Sequence, residues 1–354
     1  MHLYLHIPFC HQACHYCDFH FSTRLSGKAA LVDALIKEIE LQKEYLGTRE
    51  LSTIYFGGGT PSTLSPDELS AIFKAIHKYF EVLAGAEITL EANPEDLTPE
   101  YLSVLKELGV NRLSIGIQSF HAANLTFMYR NHDVSQAQKS IQDAQEIGLN
   151  NISIDIIYGI PSNDLDMLEQ DLAAAVATGV QHISAYSLTI EPKTVFGHQL
   201  KKGILQETPE QHMAAAFEFT HQYLEKQGFM AYETSNFART GFESQHNSSY
   251  WKQESYLGIG PAAHSFNQTT RQWNVANNAN YMKEINVGSI PSEVEILSPE
   301  NQINEYIMTQ LRTHWGIDMS YLRERFNSIQ VPFPDEEIES WIAKGFAVIS
   351  EDRL

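Results

Sequence analysis

The sequence contains little cysteine, little positive charge and no long hydrophobic run. Its 354 residues include 24 Lys and Arg but 44 Asp and Glu, which gives a formal net charge of −20. This acidic excess argues against general binding to nucleic acid or to an anionic membrane, because both need clustered positive charge. No apolar stretch is long enough to cross a bilayer, so we expect neither a transmembrane segment nor a signal peptide. With 43% hydrophobic residues, the chain has the composition of a folded protein with a large core.

Cysteine is confined to one short stretch of the chain. The three cysteines are Cys10, Cys14 and Cys17. Reduced thiols without an even set of partners are typical of a reducing compartment, and we expect the protein in the cytoplasm. Core thiols placed at random would rarely fall so close together, so the clustering indicates a metal site.

The spacing C-x3-C-x2-C allows one loop to wrap around an iron–sulfur cluster. Three thiolates on a cluster of four irons leave one iron without a protein ligand, and that iron can take an exchangeable small molecule. A structural zinc site is the alternative, because zinc commonly takes four nitrogen or sulfur ligands. The neighbouring His11, His15 or His20 would then supply the fourth ligand. The spacing alone leaves both alternatives open.

Short apolar stretches alternate with helical ones through the first half of the chain. Strands are predicted over residues 3–7, 53–56, 88–91, 112–115, 152–156 and 182–186. Helices with clear start signals lie between them, such as the one that Ser65, Pro66 and Glu68 open with a capping box. This alternation predicts a parallel sheet with right-handed crossovers. Because glycine and charged residues follow the strands, we expect the site at the strands' carboxyl ends.

The second half is harder to interpret. A helix is predicted over 209–227, whereas 232–256 is aromatic and polar and is left unassigned. Helices over 301–312, 319–326 and 336–344, with a strand over 346–350, predict a small α-rich C-terminal domain. We therefore divide the chain into a barrel with the site (1–190), an extension (191–297) and this C-terminal domain (298–354).

The cysteine spacing resembles the cluster loop of radical S-adenosylmethionine (SAM) proteins. The preceding Tyr-Leu-His-Ile-Pro-Phe at 4–9 narrows the resemblance to the coproporphyrinogen dehydrogenase-like branch, which contains HemN enzymes and HemW heme chaperones. The resemblance implies a partial (β/α)6 barrel and a [4Fe-4S] cluster held by Cys10, Cys14 and Cys17. It also implies SAM on the open iron, and an electron donor for the cluster, because the superfamily's reduced cluster cleaves SAM to a radical.

Further positions are assigned to SAM by the same resemblance. Gly58, Gly59 and Thr60, in a Gly-Gly-Gly-Thr-Pro segment, are expected near its amino group. Glu91 is expected near its ribose. Glycine would allow the backbone to approach the ligand closely. From the residues alone, a plain turn for the glycines and a helix cap or surface acid for Glu91 stay open.

Five more residues match the family's pattern around SAM. Gln118, Arg130 and Asp155 each lie at or shortly after a predicted strand end, and an arginine suits a carboxylate bidentately. Tyr4 and Tyr16 flank the cysteines. The alternatives are a salt bridge between Arg130 and Asp155 that closes the barrel mouth, and two ordinary core aromatics.

Two departures from the HemN enzymes point to the HemW group. Those enzymes have a further cysteine where this chain has Phe19, and they carry a long extension before the first strand. The segment 246–251, His-Asn-Ser-Ser-Tyr-Trp, resembles a HemW motif associated with heme. Imidazole is a common axial ligand of heme iron and aromatic rings pack on porphyrins, so His246 is the predicted heme ligand. A histidine satisfied inside the core is the alternative.

A second glycine-rich stretch, 258–264, also resembles the family. It either approaches the SAM pocket or forms a tight turn with His264 in the core.

The expected function is that of a HemW-type heme chaperone, which binds a [4Fe-4S] cluster, SAM and heme and delivers heme to acceptor proteins. No residue is assigned a catalytic role. The alternative is an oxygen-independent coproporphyrinogen III dehydrogenase, and whether the chain is an enzyme stays open. A zinc-binding structural domain is the third class.

Overall fold

A computed structural model describes residues 1–161, 164–325 and 335–354. The strands are β1 His2–Ile7, β2 Glu50–Gly58, β3 Glu81–Ala92, β4 Arg112–Gln118, β5 Ile152–Tyr158, β6 His182–Ser187, β7 Met230–Ala231, β8 Asn236–Ala238, β9 Tyr256–Ile259, β10 His264–Phe266, β11 Thr270–Asn274 and β12 Ser292–Ile296. The helices are α1 Lys28–Leu41, α2 Pro66–Tyr79, α3 Pro99–Glu107, α4 Ala122–Phe127, α5 Val134–Glu146, α6 Leu165–Ala177, α7 Val195–Lys201, α8 Glu210–Lys226, α9 Gln245–Trp251, α10 Asn278–Asn286, α11 Pro299–Gln310, α12 Met319–Arg325 and α13 Asp335–Ala343.

These strands form one mixed sheet in the order β12-β11-β10-β9-β1-β2-β3-β4-β5-β6-β8-β7. Strands β1 to β6 are neighbours in chain order, and each pairs in parallel with the next. The predicted (β/α)6 architecture is therefore confirmed. The capping box at Ser65 is also present. The Ser65 side chain accepts from the Glu68 backbone N–H, and the Glu68 side chain accepts from the Ser65 backbone N–H.

The extension (191–297) supplies the strands at both edges of the sheet, and of these only β8 and the first residue of β9 fall in the unassigned segment 232–256. Strand β9 pairs in parallel with β1, and β10 to β12 continue antiparallel beyond it. At the other edge, β8 pairs antiparallel with β6 and β7 with β8. These strands are only two to five residues long, too short for a periodicity signal.

The α-rich character of the C-terminal part is confirmed by α11, α12 and α13. The strand predicted over 346–350 is wrong, because only an isolated bridge joins Ser350 to Arg353. The apolar side chains that suggested it are exposed, with Phe346 at 78% and Val348 at 74%. The last residue of the helix predicted over 319–326 lies outside the described residues.

Strands β1 to β6 have an apolar outer face and a polar inner face, as the two-residue period of a strand allows. The outer side chains pack under the helices in the main core, for example Leu3, Leu5 and Ile7 of β1. The inner side chains hydrogen-bond one another between neighbouring strands, as His2 of β1 does with Thr53 of β2 at 2.9 Å. The interior of the barrel is therefore lined by polar groups that can bind a ligand, whereas many barrels are filled there by apolar side chains.

A buried carboxylate joins α1 to the extension. Glu38 Oε1 accepts from Gln42 Nε2 at 2.7 Å and from Asn274 Nδ2 at 2.6 Å. Its Oε2 accepts from the Gly260 N–H at 2.7 Å and from the Tyr281 hydroxyl. Burial raises the pKa of Glu38 to about 7, against the lowering effect of these four hydrogen bonds. One side chain thus holds the β9–β10 turn, β11 and α10 against the barrel.

Replacing Glu38 by Ala should lower the free energy of unfolding by roughly 3 kcal/mol or more, because four buried donors lose their acceptor. Glu40→Ala, at an exposed position of the same helix, is the control and should stay within about 0.5 kcal/mol of the parent. Urea denaturation followed by circular dichroism measures both variants. Equal midpoints for the two would show that the Glu38 network contributes nothing to stability.

Candidate functional site

The cysteines lie on a loop at the carboxyl ends of the strands, here called the cysteine loop (residues 8–22). Backbone hydrogen bonds close its base, from Cys10 N to Ser22 O at 3.1 Å and from Ser22 N to Pro8 O at 2.9 Å. Its middle is held at His15, whose N–H donates to Met128 O at 3.1 Å and whose carbonyl accepts from Phe196 N at 3.0 Å. The loop is therefore held by elements well outside it in sequence.

Two of the thiols have hydrogen-bond donors. The Thr60 hydroxyl donates to Cys10 Sγ at 3.2 Å, and Arg130 Nη1 donates to Cys14 Sγ at 3.3 Å. Burial raises the pKa of Cys10 to about 12 and that of Cys17 to about 11. These thiols therefore need a metal's positive charge in order to ionise at neutral pH.

The arrangement does not match a mononuclear zinc site. Among the residues that the structure describes, no group of three or more His, Cys, Asp or Glu side chains closes around a single metal ion. The three thiols are free and border one cavity; a cluster of four irons needs only three thiolates, whereas a structural zinc ion takes four ligands.

Above the cysteine loop lies a cavity of about 500 Å³, here called the SAM cavity after the expected ligand. Its size falls within the range of about 300–1,000 Å³ that small-molecule sites occupy. The predicted site residues that line it are Cys10, Cys14, Cys17, Tyr16, Gly58, Gly59, Thr60, Glu91, Gln118, Arg130 and Asp155. Tyr4 and His246 do not line it. The structure thus gathers eleven of the thirteen predicted positions around one space.

The glycines are required by packing between two strand ends. A Cβ on Gly59 would lie 2.8 Å from Phe9 O and 2.9 Å from Ile7 O, so no side chain fits there. Gly58 has φ +110°, and a Cβ on it would lie 2.6 Å from the His6 ring. The sequence analysis explained these glycines by the close approach of a ligand. The structure adds a second reason, which is the contact of this segment with the end of β1.

Two buried acids face the SAM cavity. Glu91 accepts from the Tyr55 hydroxyl at 2.8 Å and from the Gly58 N–H at 3.2 Å. Burial raises its pKa to about 7, and the neighbouring Asp155 adds to the rise. Burial likewise raises the pKa of Asp155 to about 6. Two carboxyl groups held short of full ionisation would gain from a cation between them.

Arg130 forms no salt bridge with Asp155. Its Nη2 instead donates to Asn93 Oδ1 at 2.7 Å and to Gly116 O at 2.8 Å, besides the contact with Cys14. A Cβ on Gly116 would lie 3.1 Å from that nitrogen, so glycine makes room for the guanidinium. Arg130 Nε is buried without a hydrogen-bond partner among the described residues.

Some lining residues were missed in the sequence. Asn93 holds Arg130, and the SAM cavity is also lined by Tyr186 near the end of β6 and by Thr189 and Glu191 after it. Their position after strand ends was the available signal, but such residue types are common in turns. Gln118 was predicted, yet its backbone is unusual, with φ +70° in the left-handed region, where strain is typical of functional sites.

His246 lies at the other end of the barrel. Its Nδ1 is 2.6 Å from Thr53 Oγ1, its Nε2 is 2.8 Å from the Tyr250 hydroxyl, and only 1% of its surface is exposed. Thr53 pairs with His2 at the start of β1, whereas the cysteine loop follows Ile7. A strand rises about 3.3 Å per residue, so the two ends of β1 lie about 16 Å apart. Ligation of heme by His246 would require its ring to leave both partners.

Tyr4 also does not line the SAM cavity. Its hydroxyl is 3.0 Å from His6 Nδ1, and it lines a second cavity of about 620 Å³ together with Tyr250 and Trp251.

Two family models match the chain. The Radical SAM superfamily model matches residues 4–175, and the HemN C-terminal domain model matches residues 297–354. The curated Heme chaperone HemW of Bacillus subtilis is 37% identical over 335 residues, which cover 94% of this chain and 88% of the relative. HemW of Escherichia coli is 37% identical over 265 residues, covering 74% and 69%.

Among solved structures, coproporphyrinogen III oxidase (HemN) from Escherichia coli aligns with a TM-score of 0.85 at 23% identity. The alignment covers 99% of this chain and 85% of that one. At this identity the likeness establishes the fold and says nothing of the activity. None of the described helices is long and apolar enough to span a membrane.

Replacing any one of Cys10, Cys14 and Cys17 by Ala should remove the iron and sulfide, about four of each per chain in the parent, because no fourth cysteine can substitute. Thr60→Val is the matched control. It keeps all three thiols and the side-chain shape, so the cluster should stay while its reduction potential falls with the lost hydrogen bond to sulfur. Iron and sulfide analysis and electron paramagnetic resonance of anaerobically purified protein measure both effects. A full cluster in any Cys→Ala variant would refute the ligand assignment.

Proposed function

The chain belongs to the HemW family of the radical SAM superfamily, and we propose that it binds a [4Fe-4S] cluster, SAM and heme and passes heme to acceptor proteins. The observation that carries this proposal is the similarity to heme chaperones, 37% identity over 94% of the chain. Radical SAM membership implies the cluster and SAM.

The residues present fit the cluster. Three free thiols share one loop, and donors from Thr60 and Arg130 reach two of their sulfurs. The cluster, when bound, would supply an electron to a ligand on its open iron. The chain itself contributes thiolates, hydrogen bonds that tune the sulfurs, and burial that limits the access of water.

The SAM cavity also fits its proposed ligand. SAM carries a sulfonium and an ammonium cation together with one carboxylate. Glu91 and Asp155 offer negative charge once ionised, and the Arg130 guanidinium, which lines the cavity, offers positive charge to the SAM carboxylate. Charge complementarity of this kind stabilises the ionised form of both acids when the cation is bound.

Affinity for SAM should rise with pH from about 6 to about 7.5, because the pKa of Glu91 is about 7 in the absence of a cation. Below that pKa the group must release a proton before it can attract a cation; above it no further gain follows. Ionisation of Asp155 also strengthens SAM binding, but over a lower pH range because its pKa is about 6. The positive charge of Arg112 repels the SAM cation at all these pH values. Calorimetry in buffers of different ionisation heat measures both the affinity and the released proton.

Glu91→Gln should bind SAM more weakly at the upper end of this range and show a flatter pH profile. Glu107→Gln, exposed on α3, is the control and should follow the parent. An unchanged slope in Glu91→Gln would remove Glu91 from the SAM site.

Heme delivery is the finer part of the proposal. Phe19, where HemN enzymes carry a cysteine, is 72% exposed and lines both the SAM cavity and the second cavity.

The three reduced thiols suit a cytoplasmic location. A separate core formed by Ile303, Ile307, Ile317 and neighbours supports treating 298–354 as its own domain. We further propose that an electron donor reduces the cluster.

The purified, cluster-bearing protein should bind about one heme per chain, as one axial-ligand site implies, and should not convert coproporphyrinogen III to protoporphyrinogen IX. Heme titration followed at the Soret band measures the first result. Anaerobic incubation with coproporphyrinogen III, SAM and reductant, with a Cys14→Ala protein as the blank, measures the second. Turnover well above that blank would replace the chaperone by the dehydrogenase alternative.

A further inference from the structure

The second cavity lies where the C-terminal part meets the open edge of the barrel. Strand β10 contributes His264 and Phe266 to its wall, α9 contributes Tyr250 and α11 contributes Met308. Its volume of about 620 Å³ is within the range of about 300–1,000 Å³ for small-molecule sites. Part of the wall faces solvent, since Met308 is 59% exposed.

Aromatic rings dominate this wall. Tyr250 and Tyr256 meet edge to face at 4.6 Å, and Tyr256 and Phe266 lie 6.2 Å apart. Phe19 of the cysteine loop also borders the cavity. Rings of this kind provide a flat, weakly polar surface that suits a planar aromatic ligand.

His264 presents an imidazole without a hydrogen-bond partner at this wall. Its ring stacks beside Trp273 at 6.1 Å, and neither nitrogen hydrogen-bonds to a described residue. Partial burial lowers the pKa of His264, so the ring is neutral at neutral pH and has a lone pair available for iron. His20, the neighbouring alternative, already holds Asn278 Oδ1 through its Nε2 at 2.7 Å.

We propose that the second cavity is the heme site and that His264, rather than His246, is the axial ligand of the heme iron. This assignment rests on the proposed function, because it takes heme as the cargo. The cavity shares Asp18 and Phe19 with the SAM cavity, so heme would lie beside the cluster-bearing loop while keeping an open side for release.

The same geometry gives His246 a positioning role. A chain of hydrogen bonds runs from the exposed Glu254 through His2 and Thr53 to the buried His246, and from there to the Tyr250 hydroxyl. The chain fixes the Tyr250 ring, which lines the heme cavity. Loss of His246 would loosen Tyr250 without removing an iron ligand.

Heme titrations of the cluster-bearing protein test the assignment. In His264→Ala, affinity for heme should fall by about tenfold or more, since even the loss of a ligand's supporting partner costs about 10–100-fold. The electron paramagnetic resonance signal of histidine-ligated heme should change, and added imidazole should restore it. His246→Gln should keep that signal. His77→Ala, which removes an exposed histidine of α2, is the matched control.

A second substitution guards against a variant that merely misfolds. His264→Met should retain the iron and sulfide of the cluster and replace the imidazole signal by that of a thioether ligand with a higher heme potential. An unchanged histidine signal and affinity in both His264 variants would overturn the assignment, as would loss of the signal in His246→Gln alone. Absence of heme binding by the parent protein would instead refute the proposed function.

Discussion

The site depends on the direct contact between the end of β1 and the end of β2. The Gly59 N–H donates to Ile7 O at 2.9 Å, and the Thr60 N–H donates to Phe9 O at 2.7 Å. No side chain separates the two backbones, because a Cβ on Gly59 would clash with both carbonyls. This contact brings the Thr60 hydroxyl to Cys10 and thereby ties the cysteine loop to the turn beside Glu91.

Polar side chains line the interior of the barrel and have different roles at its two ends. At the carboxyl ends of the strands they line a cavity, and at the amino ends they hold a helix in place. Glu91 and Asp155 lie toward the carboxyl ends, where both line the SAM cavity. Glu87 lies toward the amino ends, where its carboxylate accepts the N–H groups of Gln245 and His246 at 3.1 and 3.0 Å. The carboxylate of Glu87 at the first turn of α9 stabilises that helix. Helix α9 closes the amino end of the barrel and is here called the plug.

That plug changes the interpretation of the motif at 246–251. Its histidine is held from both nitrogens and stacks on Tyr55 with ring centroids 4.9 Å apart. Its tyrosine reaches the wall of the second cavity. A motif associated with heme is thus compatible with an indirect role, in which one residue orients another. The extension that carries the motif is itself fastened by Glu38, so the barrel, the plug and the second cavity form one packed assembly.

The sequence by itself determined the six β/α units and the cysteine loop, because those features depend on local signals. Strand length, helix caps such as Ser65 and the spacing of Cys10, Cys14 and Cys17 are all readable within a few residues. Only the tertiary structure decided what His246 touches, since its partner Thr53 is 193 residues away. The edge strands and the Glu38–Asn274 contact, which spans 236 residues, depend likewise on distant packing. Short-range patterns carry no information about such contacts, because burial and hydrogen bonding are settled only when remote segments meet.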